Sequence, residues 1–243
     1  MSTVLTDNHY AWVQHFYHPI RQQEGRVYTD EEVLELPTTQ PAHRHYQEWQ
    51  MRKRSTRRLM QYIQRKKGLI TIMEVGCGNG WLSRRLATVS GSRVIGMDIN
   101  TVELQQATRV FSNIPNLQFL YGDIQSNIIS DEIADIIVFA ASIQYFPSLP
   151  VVIRHAIKKL RSRGEIHIID SPIYKPGELV AARKRTMDYF HQMGFACMTE
   201  HYFHHDTTSF NEFNYKMLYQ PSALQFSLSP FKNPFPWICI QKK

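Results

Sequence analysis

The sequence predicts an α/β fold in which helices flank a seven-stranded, mostly parallel sheet. Between residues 69 and 170, apolar runs of strand length alternate with helical segments, which favours parallel strands joined by right-handed crossovers. Residues 136–141 form a continuous apolar run, typical of a strand buried on both faces. With 243 residues, the chain is long enough for one such domain and a small cap.

The N-terminal part, residues 1–42, is irregular in pattern and rich in aromatic and histidine side chains. We expect it to be an extension outside the core that caps the domain formed by residues 43–243. Thr29 and Glu32 have the spacing of a capping box, so a short helix should begin at Thr29 and end before Pro37.

Hydrophobic period and turn residues assign the remaining elements. A long helix is predicted for residues 43–67, because it carries an apolar stripe and Gly68 follows as a C-terminal stop. The aromatic-rich connection at residues 204–234 is predicted to be an insertion that covers the substrate. Further helices are expected at residues 80–89, 101–112, 150–162 and 177–192, and strands at 69–75, 93–98, 117–121, 134–141, 165–170, 195–203 and 235–240.

The turn after the first predicted strand carries the strongest functional signal. There Glu74 precedes Gly76, Gly78 and Gly80, and a helix follows. Glycines let the backbone turn sharply and approach a ligand, and the free N–H groups at the start of a helix favour negatively charged groups. The pattern indicates a site for a nucleotide-type cofactor.

Two further acidic residues follow the next two strands. Asp98 ends the second strand, where a carboxylate can accept hydrogen bonds from both hydroxyls of a ribose. Asp123 follows the third strand and could accept a hydrogen bond from an exocyclic amine such as that of adenine. Both lie at the carboxyl ends of parallel strands, where open α/β sheets bind ligands. The alternative for each is a helix or turn cap.

The charge of the site distinguishes between cofactors. Glu74 beside the glycines would repel a pyrophosphate but favour an ammonium or sulfonium group. The glycine spacing also departs from the G-x-G-x-x-G dinucleotide fingerprint, and the chain has no phosphate loop of the G-x-x-x-x-G-K type. Adenosine with a positively charged amino-acid tail fits better. A NAD-dependent oxidoreductase stays as a weaker alternative.

With these motifs, residues 45–203 resemble the class I S-adenosylmethionine-dependent methyltransferases. Residues 74–80 look like the first motif of that family, residues 96–99 like the acidic end of its second strand, and residues 122–124 like its adenine-contacting turn. The resemblance implies a Rossmann-like methyltransferase fold with strand order 3-2-1-4-5-7-6, in which the last two strands are an antiparallel pair.

The resemblance also implies a cofactor and the residues that bind it. The cofactor would be S-adenosylmethionine (SAM), which leaves S-adenosylhomocysteine as the product. The residues implied in its binding are Glu74, Gly76, Cys77, Gly78, Asp98, Ile99, Asp123, Ile124 and Ala140.

The segment expected to face the methyl acceptor is informative mainly through the motifs that it lacks. Residues 140–147 carry neither the Asn/Asp-Pro-Pro-aromatic motif common in nucleic-acid amino-methyltransferases nor carboxylates for a divalent ion. We therefore expect a small-molecule acceptor and no metal. Gln144 and Tyr145 are placed near the reacting centre, although Tyr145 could instead pack under the cap. Asp170 could reach the pocket or cap a turn. Since methyl transfer needs mainly alignment, no particular catalytic residue is predicted.

The cluster of His201, His204, His205 and Asp206 contains the ligand types of zinc or iron sites. Residues this close in sequence need not converge on one point, so a polar strand end and loop is the favoured interpretation. One of the histidines could still serve as a general base, because the reference pKa of histidine is near neutrality.

Charge and cysteine content bear on partners and location. The net charge of +7 is concentrated in the predicted helix around residues 52–67. A solvated face is favoured over RNA binding, which stays as an alternative function. Three widely separated cysteines and the lack of an apolar stretch of about 20 residues predict a cytoplasmic protein without membrane spans.

Overall fold

A seven-stranded sheet organises the fold in the computed structural model, which describes residues 10–221 and 233–242. Its strands follow the order β3-β2-β1-β4-β5-β9-β8. The first five are parallel, whereas β9 is antiparallel to both of its neighbours. A separate pair, β6 and β7, forms a small second sheet. The strands are β1 (Ile70–Val75), β2 (Ser92–Asp98), β3 (Leu117–Tyr121), β4 (Ala134–Ala140), β5 (Leu160–Ile169), β6 (Ile173–Tyr174), β7 (His205–Asp206), β8 (Tyr215–Tyr219) and β9 (Trp237–Gln241).

Helices cover the two faces of the main sheet. They are α1 (His18–Gln23), α2 (Asp30–Glu35), α3 (Tyr46–Ile63), α4 (Trp81–Leu86), α5 (Thr101–Val110), α6 (Leu149–Lys159) and α7 (Leu179–Gln192). At the start of α2, the Thr29 hydroxyl accepts from the Glu32 N–H while the Glu32 carboxylate accepts from the Thr29 N–H, which confirms the predicted capping box. Among the described residues, no helix combines the length and apolar character that a bilayer crossing requires.

Alternate residues of each central strand pack into two separate cores. In β4, Ile136 and Val138 face the core that includes α3 and α4, whereas Ile137 and Phe139 face the core that includes α6. All four side chains are fully buried. The strand is therefore buried on both faces, as its continuous apolar sequence predicts.

The prediction of a strand at residues 195–203 is wrong. That segment begins with a 3₁₀ helix, Ala196–His201, and the edge strand of the sheet is Tyr215–Tyr219 instead. Tyr215 pairs with Ile240 of β9, so the predicted insertion at residues 204–234 supplies a sheet strand. Aromatic residues favour strands only where a neighbouring strand is available, and β9 offers that edge to β8. Residues 222–232 of this segment lie outside the described residues.

The N-terminal segment is more deeply packed than an extension outside the core. Val33 and Leu36 belong to the core cluster beneath α3, in which Trp49 also lies. Val33 of α2 is fully buried there, and a short helix gains most of its stability from such packing. Residues 1–9 of this segment lie outside the described part of the chain.

Candidate cofactor and acceptor site

The glycine loop follows β1 and crosses the carboxyl end of β2. The N–H groups of Gly76 and Cys77 both donate to the carbonyl of Met97, at 2.8 and 3.0 Å. Gly76 has φ 76°, and a Cβ there would lie 2.5 Å from the Cβ of Ser142. A side chain at this position is thus excluded both by backbone conformation and by the turn that follows β4.

Asp98 holds this loop in place from the end of β2. Its Oδ2 accepts the N–H of Gly78 at 2.6 Å, and its Oδ1 accepts the N–H of Asn100 at 2.7 Å. Burial raises the pKa of the Asp98 carboxyl. The side chain of Asn100, not that of Asp98, caps α5. The helix-cap alternative for Asp98 is therefore not what the structure shows.

A cleft of about 640 Å³ opens at this edge of the sheet. On its far side, Asp123 accepts hydrogen bonds from the Tyr10 hydroxyl and the Gln125 N–H, each at 2.8 Å. The cleft brings together seven of the residues expected from the sequence to bind the cofactor or the acceptor. These are Gly76, Gly78, Asp98, Ile99, Asp123, Ile124 and Tyr145.

Glu74, Cys77 and Ala140 lie behind the glycine loop, where they line a smaller cavity of about 80 Å³. Glu74 is 2 % exposed and accepts a hydrogen bond from the Ser83 hydroxyl at 2.5 Å. Burial raises the pKa of Glu74 to about 8. Its carboxyl group therefore connects the end of β1 to α4 and does not face the main cleft.

Sequence reasoning missed Glu103, an acidic residue of the site. It lines both the main cleft and the cavity behind the loop, and Asn100 donates to its carboxylate at 2.8 Å. Burial and the nearby charge of Asp98 raise its pKa to about 7. No motif includes this position. Only its place in the first turn of α5, close to Asp98, could have indicated it.

A third cavity, of about 730 Å³, adjoins the cleft, and both are lined by Tyr17, Ala141 and Tyr145. Gln144 lines this cavity and donates from Nε2 to the carbonyl of Ala141 at 2.7 Å. Its aromatic walls come from segments far apart in the sequence. Besides Tyr17 and Tyr145, they include Tyr174, Tyr189, Phe190, Tyr202 and Phe235.

Asp170 lines this third cavity at the end of β5. Its Oδ2 accepts from the Ser55 hydroxyl at 2.7 Å and its Oδ1 from the Asn233 side-chain amide at 2.6 Å. Burial raises its pKa. Of the two alternatives left by the sequence, the structure shows Asp170 at the cavity, where it connects α3 to the segment before β9.

The histidine cluster near residue 204 is divided among different surroundings. His201 stacks on Trp12 with ring centroids 4.6 Å apart and lines the main cleft. His204 Nε2 shares a hydrogen bond with Thr186, and His205 Nε2 with the carbonyl of Ile143. The Asp206 carboxylate accepts from the N–H of Thr208. These side chains do not converge on one point.

A buried group that the sequence analysis did not single out contains Glu165, His167 and Cys239, whose ligand-type atoms lie within 4.8 Å of one another. Trp237 donates its indole N–H to His167 Nδ1 at 3.1 Å, so the proton of the neutral ring is on Nε2. A metal-bound imidazole instead donates its second nitrogen to an acceptor. Burial also raises the pKa of Cys239 to about 11. Lys66 and Glu165 form an ion pair at 2.9 Å beside it. The group is a polar network between α3 and the sheet.

Comparisons with known proteins agree with this geometry. A family model described as a methyltransferase domain matches residues 66–215. Malonyl-[acyl-carrier protein] O-methyltransferase from Halalkalibacterium halodurans is 27% identical over 108 residues, which are 42% of this chain and 40% of that relative. The match thus spans well under half of the relative's length.

Solved structures show the same fold at low sequence identity. The YcgJ protein from Bacillus subtilis has a TM-score of 0.58 and 14% identity, and the match covers 78% of this chain and 99% of that one. Geranyl diphosphate C-methyltransferase from Streptomyces coelicolor, in complex with Mg²⁺, geranyl diphosphate and S-adenosyl-L-homocysteine, has a TM-score of 0.59 and 14% identity. That match covers 83% of this chain and 85% of the other.

Proposed function

Because the chain belongs to the family defined by a methyltransferase domain, we propose that it transfers a methyl group from SAM to a small-molecule acceptor. The observation that carries the proposal is the cleft at the carboxyl edge of the sheet, in which Asp98 holds the glycine loop and Asp123 lies on the far side. Its volume of about 640 Å³ is ordinary for a cofactor site. A relative of the same fold was crystallised with S-adenosyl-L-homocysteine, which supports the choice of cofactor.

The lining residues fit the parts of that cofactor. Asp98 offers carboxylate oxygens for the ribose hydroxyls, and Ile99 and Ile124 offer apolar contact for the adenine, whose amine can donate to Asp123. Glu103 lies beside the glycine loop, where a carboxylate favours a cationic methionine portion. The cofactor supplies a methyl group on a positively charged sulfur atom. The chain contributes binding, orientation and the exclusion of water.

We assign the acceptor to the third cavity, because Tyr145 lines both that cavity and the cofactor cleft. Direct displacement needs the acceptor atom, the methyl carbon and the sulfur in line, which the walls of the two adjoining cavities can impose. Tyr145 lies at this junction and Gln144 lines the third cavity, so both would contact the acceptor. The aromatic walls favour an acceptor with an apolar or planar part.

We further assign a covering role to the N-terminal segment. Tyr10, Trp12 and Tyr17 line the cofactor cleft, and the Tyr10 hydroxyl is already bonded to Asp123. Adenine would compete with Tyr10 for that carboxylate, so cofactor binding should reposition the segment.

All three cysteines are free, which supports the expected cytoplasmic location.

The test is cofactor binding by the Asp98→Ala variant, measured by isothermal titration calorimetry with SAM. The wild-type protein should bind, and Asp98→Ala should lose at least about 30-fold in affinity, because two strong acceptor contacts disappear. Asp188→Ala is the control, since that exposed carboxylate is paired with Lys184 on α7 and lies outside the cleft. Undetectable binding by the wild-type protein would refute the proposal, and so would equal binding by Asp98→Ala.

A further inference from the structure

A second large groove lies between α2, α3 and α4, outside the cleft and the acceptor cavity. It measures about 810 Å³. Arg52 on α3 lines the cavity behind the glycine loop, whereas the next residue, Lys53, lines this groove. The helix α3 therefore separates the two sites. Five lining side chains are basic and one, Glu35, is acidic; the basic ones are Lys53, Arg54, Arg57, Arg84 and Arg85.

The positive charge of the groove is largely unneutralised. Elsewhere along the same stretch, Arg52 pairs with Glu48 and Lys66 pairs with Glu165. Within residues 10–221 and 233–242, in contrast, no carboxylate lies within ion-pair distance of the groove residues Lys53, Arg57, Arg84 and Arg85. The sequence alone favours a solvated helical face for these charges. The fold instead brings basic side chains of α3 and α4 together in one groove.

A buried hydroxyl at the groove also points to a ligand. Thr56 is 3 % exposed and lines the groove, and its Oγ1 has no hydrogen-bond partner among the described residues. The same is true of Nε of Arg85. A buried polar atom without a partner costs free energy, which a ligand with acceptor oxygens would recover.

The composition of the lining indicates the class of ligand. Ten of the fifteen lining residues are Lys, Arg, Gln or Thr, the types whose side chains donate to phosphate oxygens. Lys53 and Arg57 are one helical turn apart, so their charges follow each other along the groove at a spacing of about 6 Å. None of the described residues that line it is aromatic, so the lining offers bases no ring to stack on.

We propose that this groove binds the phosphate backbone of a single-stranded nucleic acid, without preference for base sequence. A groove of about 810 Å³ bounded by α2, α3 and α4 can hold a few nucleotides of an extended strand and is too small to enclose a duplex. An acidic protein helix fits less well, because protein interfaces are anchored by buried aromatic and apolar residues that this lining largely lacks. The site is separate from the proposed cofactor cleft, so either assignment can fail without the other.

The test is fluorescence anisotropy with a labelled 12-nucleotide oligouridylate, titrated at several salt concentrations. Four cationic contacts on a single strand predict a slope of log K against log salt of about −2.8. The double variant Lys53→Gln/Arg57→Gln should bind at least about tenfold more weakly at low salt, with the slope reduced by about 1.4. Thr56→Val should weaken binding about threefold and leave the slope unchanged, because it removes a neutral donor.

A control variant distinguishes binding in this groove from nonspecific attraction of nucleic acid to a basic protein. The variant Arg163→Gln/Arg183→Gln removes two exposed arginines outside the groove that form no ion pair in the described parts of the chain, and it should bind as the wild type does. The melting temperature of every variant, measured by thermal denaturation without ligand, reports whether the fold is intact. Absent binding, a slope near zero, or full binding by Lys53→Gln/Arg57→Gln would overturn the proposal. Tighter binding of polyglutamate or inorganic polyphosphate than of the oligonucleotide would overturn it too.

Discussion

At the scale of single residues, three carboxyl groups near the glycine loop have different tasks. Asp98 accepts two backbone N–H groups and keeps the loop at the end of β2. Glu74 is bonded to Ser83 behind the loop, and Glu103 lines the cleft itself. Burial raises the pKa of each, but only Glu103 is both near neutrality and at the cleft. The charge of the cleft therefore changes near physiological pH through Glu103.

We expect the affinity for SAM to rise with pH as Glu103 loses its proton. Its pKa is about 7 without the cofactor, and a bound cation favours the carboxylate, so below pH 7 binding must displace a proton. The affinity should increase roughly threefold to tenfold between pH 6 and pH 8. Calorimetry in buffers of different ionisation enthalpy measures both the affinity and the proton release. The Glu103→Gln variant should lose this pH dependence of the affinity for SAM. A wild-type affinity that falls as pH rises contradicts this assignment.

A second pH effect concerns stability and Glu74. Its pKa is about 8 in the folded protein against 4.5 as the reference value, so the folded state keeps a proton that the unfolded state releases. This group therefore lowers the free energy of unfolding as pH rises from about 4.5 to 8. Glu74→Gln cannot ionise and can still accept from Ser83. In urea denaturation, its free energy of unfolding should exceed that of the wild type by roughly 4–5 kcal/mol at pH 8.5 and nearly match it at pH 4.5. Parallel pH dependences of the two proteins would contradict the prediction.

At the scale of elements, the turn from β1 to α4 depends on its glycines. Gly80 has φ 75°, and a Cβ there would lie 2.6 Å from the ring of Phe119 and 2.9 Å from the Cβ of Ala107. Gly80→Ala should lower the free energy of unfolding by about 2–4 kcal/mol, from strain and overpacking together. Gly177→Ala is the matched control, because no atom of the described residues, apart from the local backbone and chain neighbours, lies within 4 Å of its Cβ position. Chemical denaturation measures both; equal stability of the two variants would contradict this account of the loop.

The helices and strands also show how far the sequence determines the fold. The strand β3 has the bounds predicted from its pattern, and β4 and α5 come close, because buried apolar runs and capping residues identify them. The edge strand β8 was assigned to the wrong segment. Residues 195–203 and 215–219 are both aromatic-rich, and only pairing with β9 decides between them. That contact depends on residues far apart in the chain, which local periodicity does not encode.

At the scale of the whole molecule, the cleft is closed by distant segments. Trp12 from the N-terminal part stacks on His201 at 4.6 Å and lies 6.1 Å from Tyr145. The lining residues Asp98 and Asp123 were predictable because they follow strand ends, where topology fixes their position. The covering residues were not, because no spacing rule relates position 12 to position 201.

We expect Trp12→Ala to weaken the contact between the N-terminal segment and the residues that line the cleft. Loss of one stacked aromatic pair, worth about 0.5–1.5 kcal/mol, should speed S-adenosylhomocysteine dissociation by about threefold to tenfold. Stopped-flow fluorescence measures that rate. Leu69→Ala, at a residue that is 90 % exposed and outside the cleft, should leave it unchanged. An unaltered rate in Trp12→Ala would show that this segment does not retain the cofactor.

The position of β9 has a consequence for how the protein is made. The strands β1 to β4 are complete with Ala140, so the half of the sheet that carries the glycine loop and Asp98 can pair while synthesis continues. The strand β8 has no neighbour until residues 237–241 have emerged, because β9 lies between it and β5. Asp170 likewise lacks its partner Asn233 until then. The wall of the proposed acceptor cavity that contains Pro234 and Phe235 can therefore be completed only after the cofactor half of the sheet has been made.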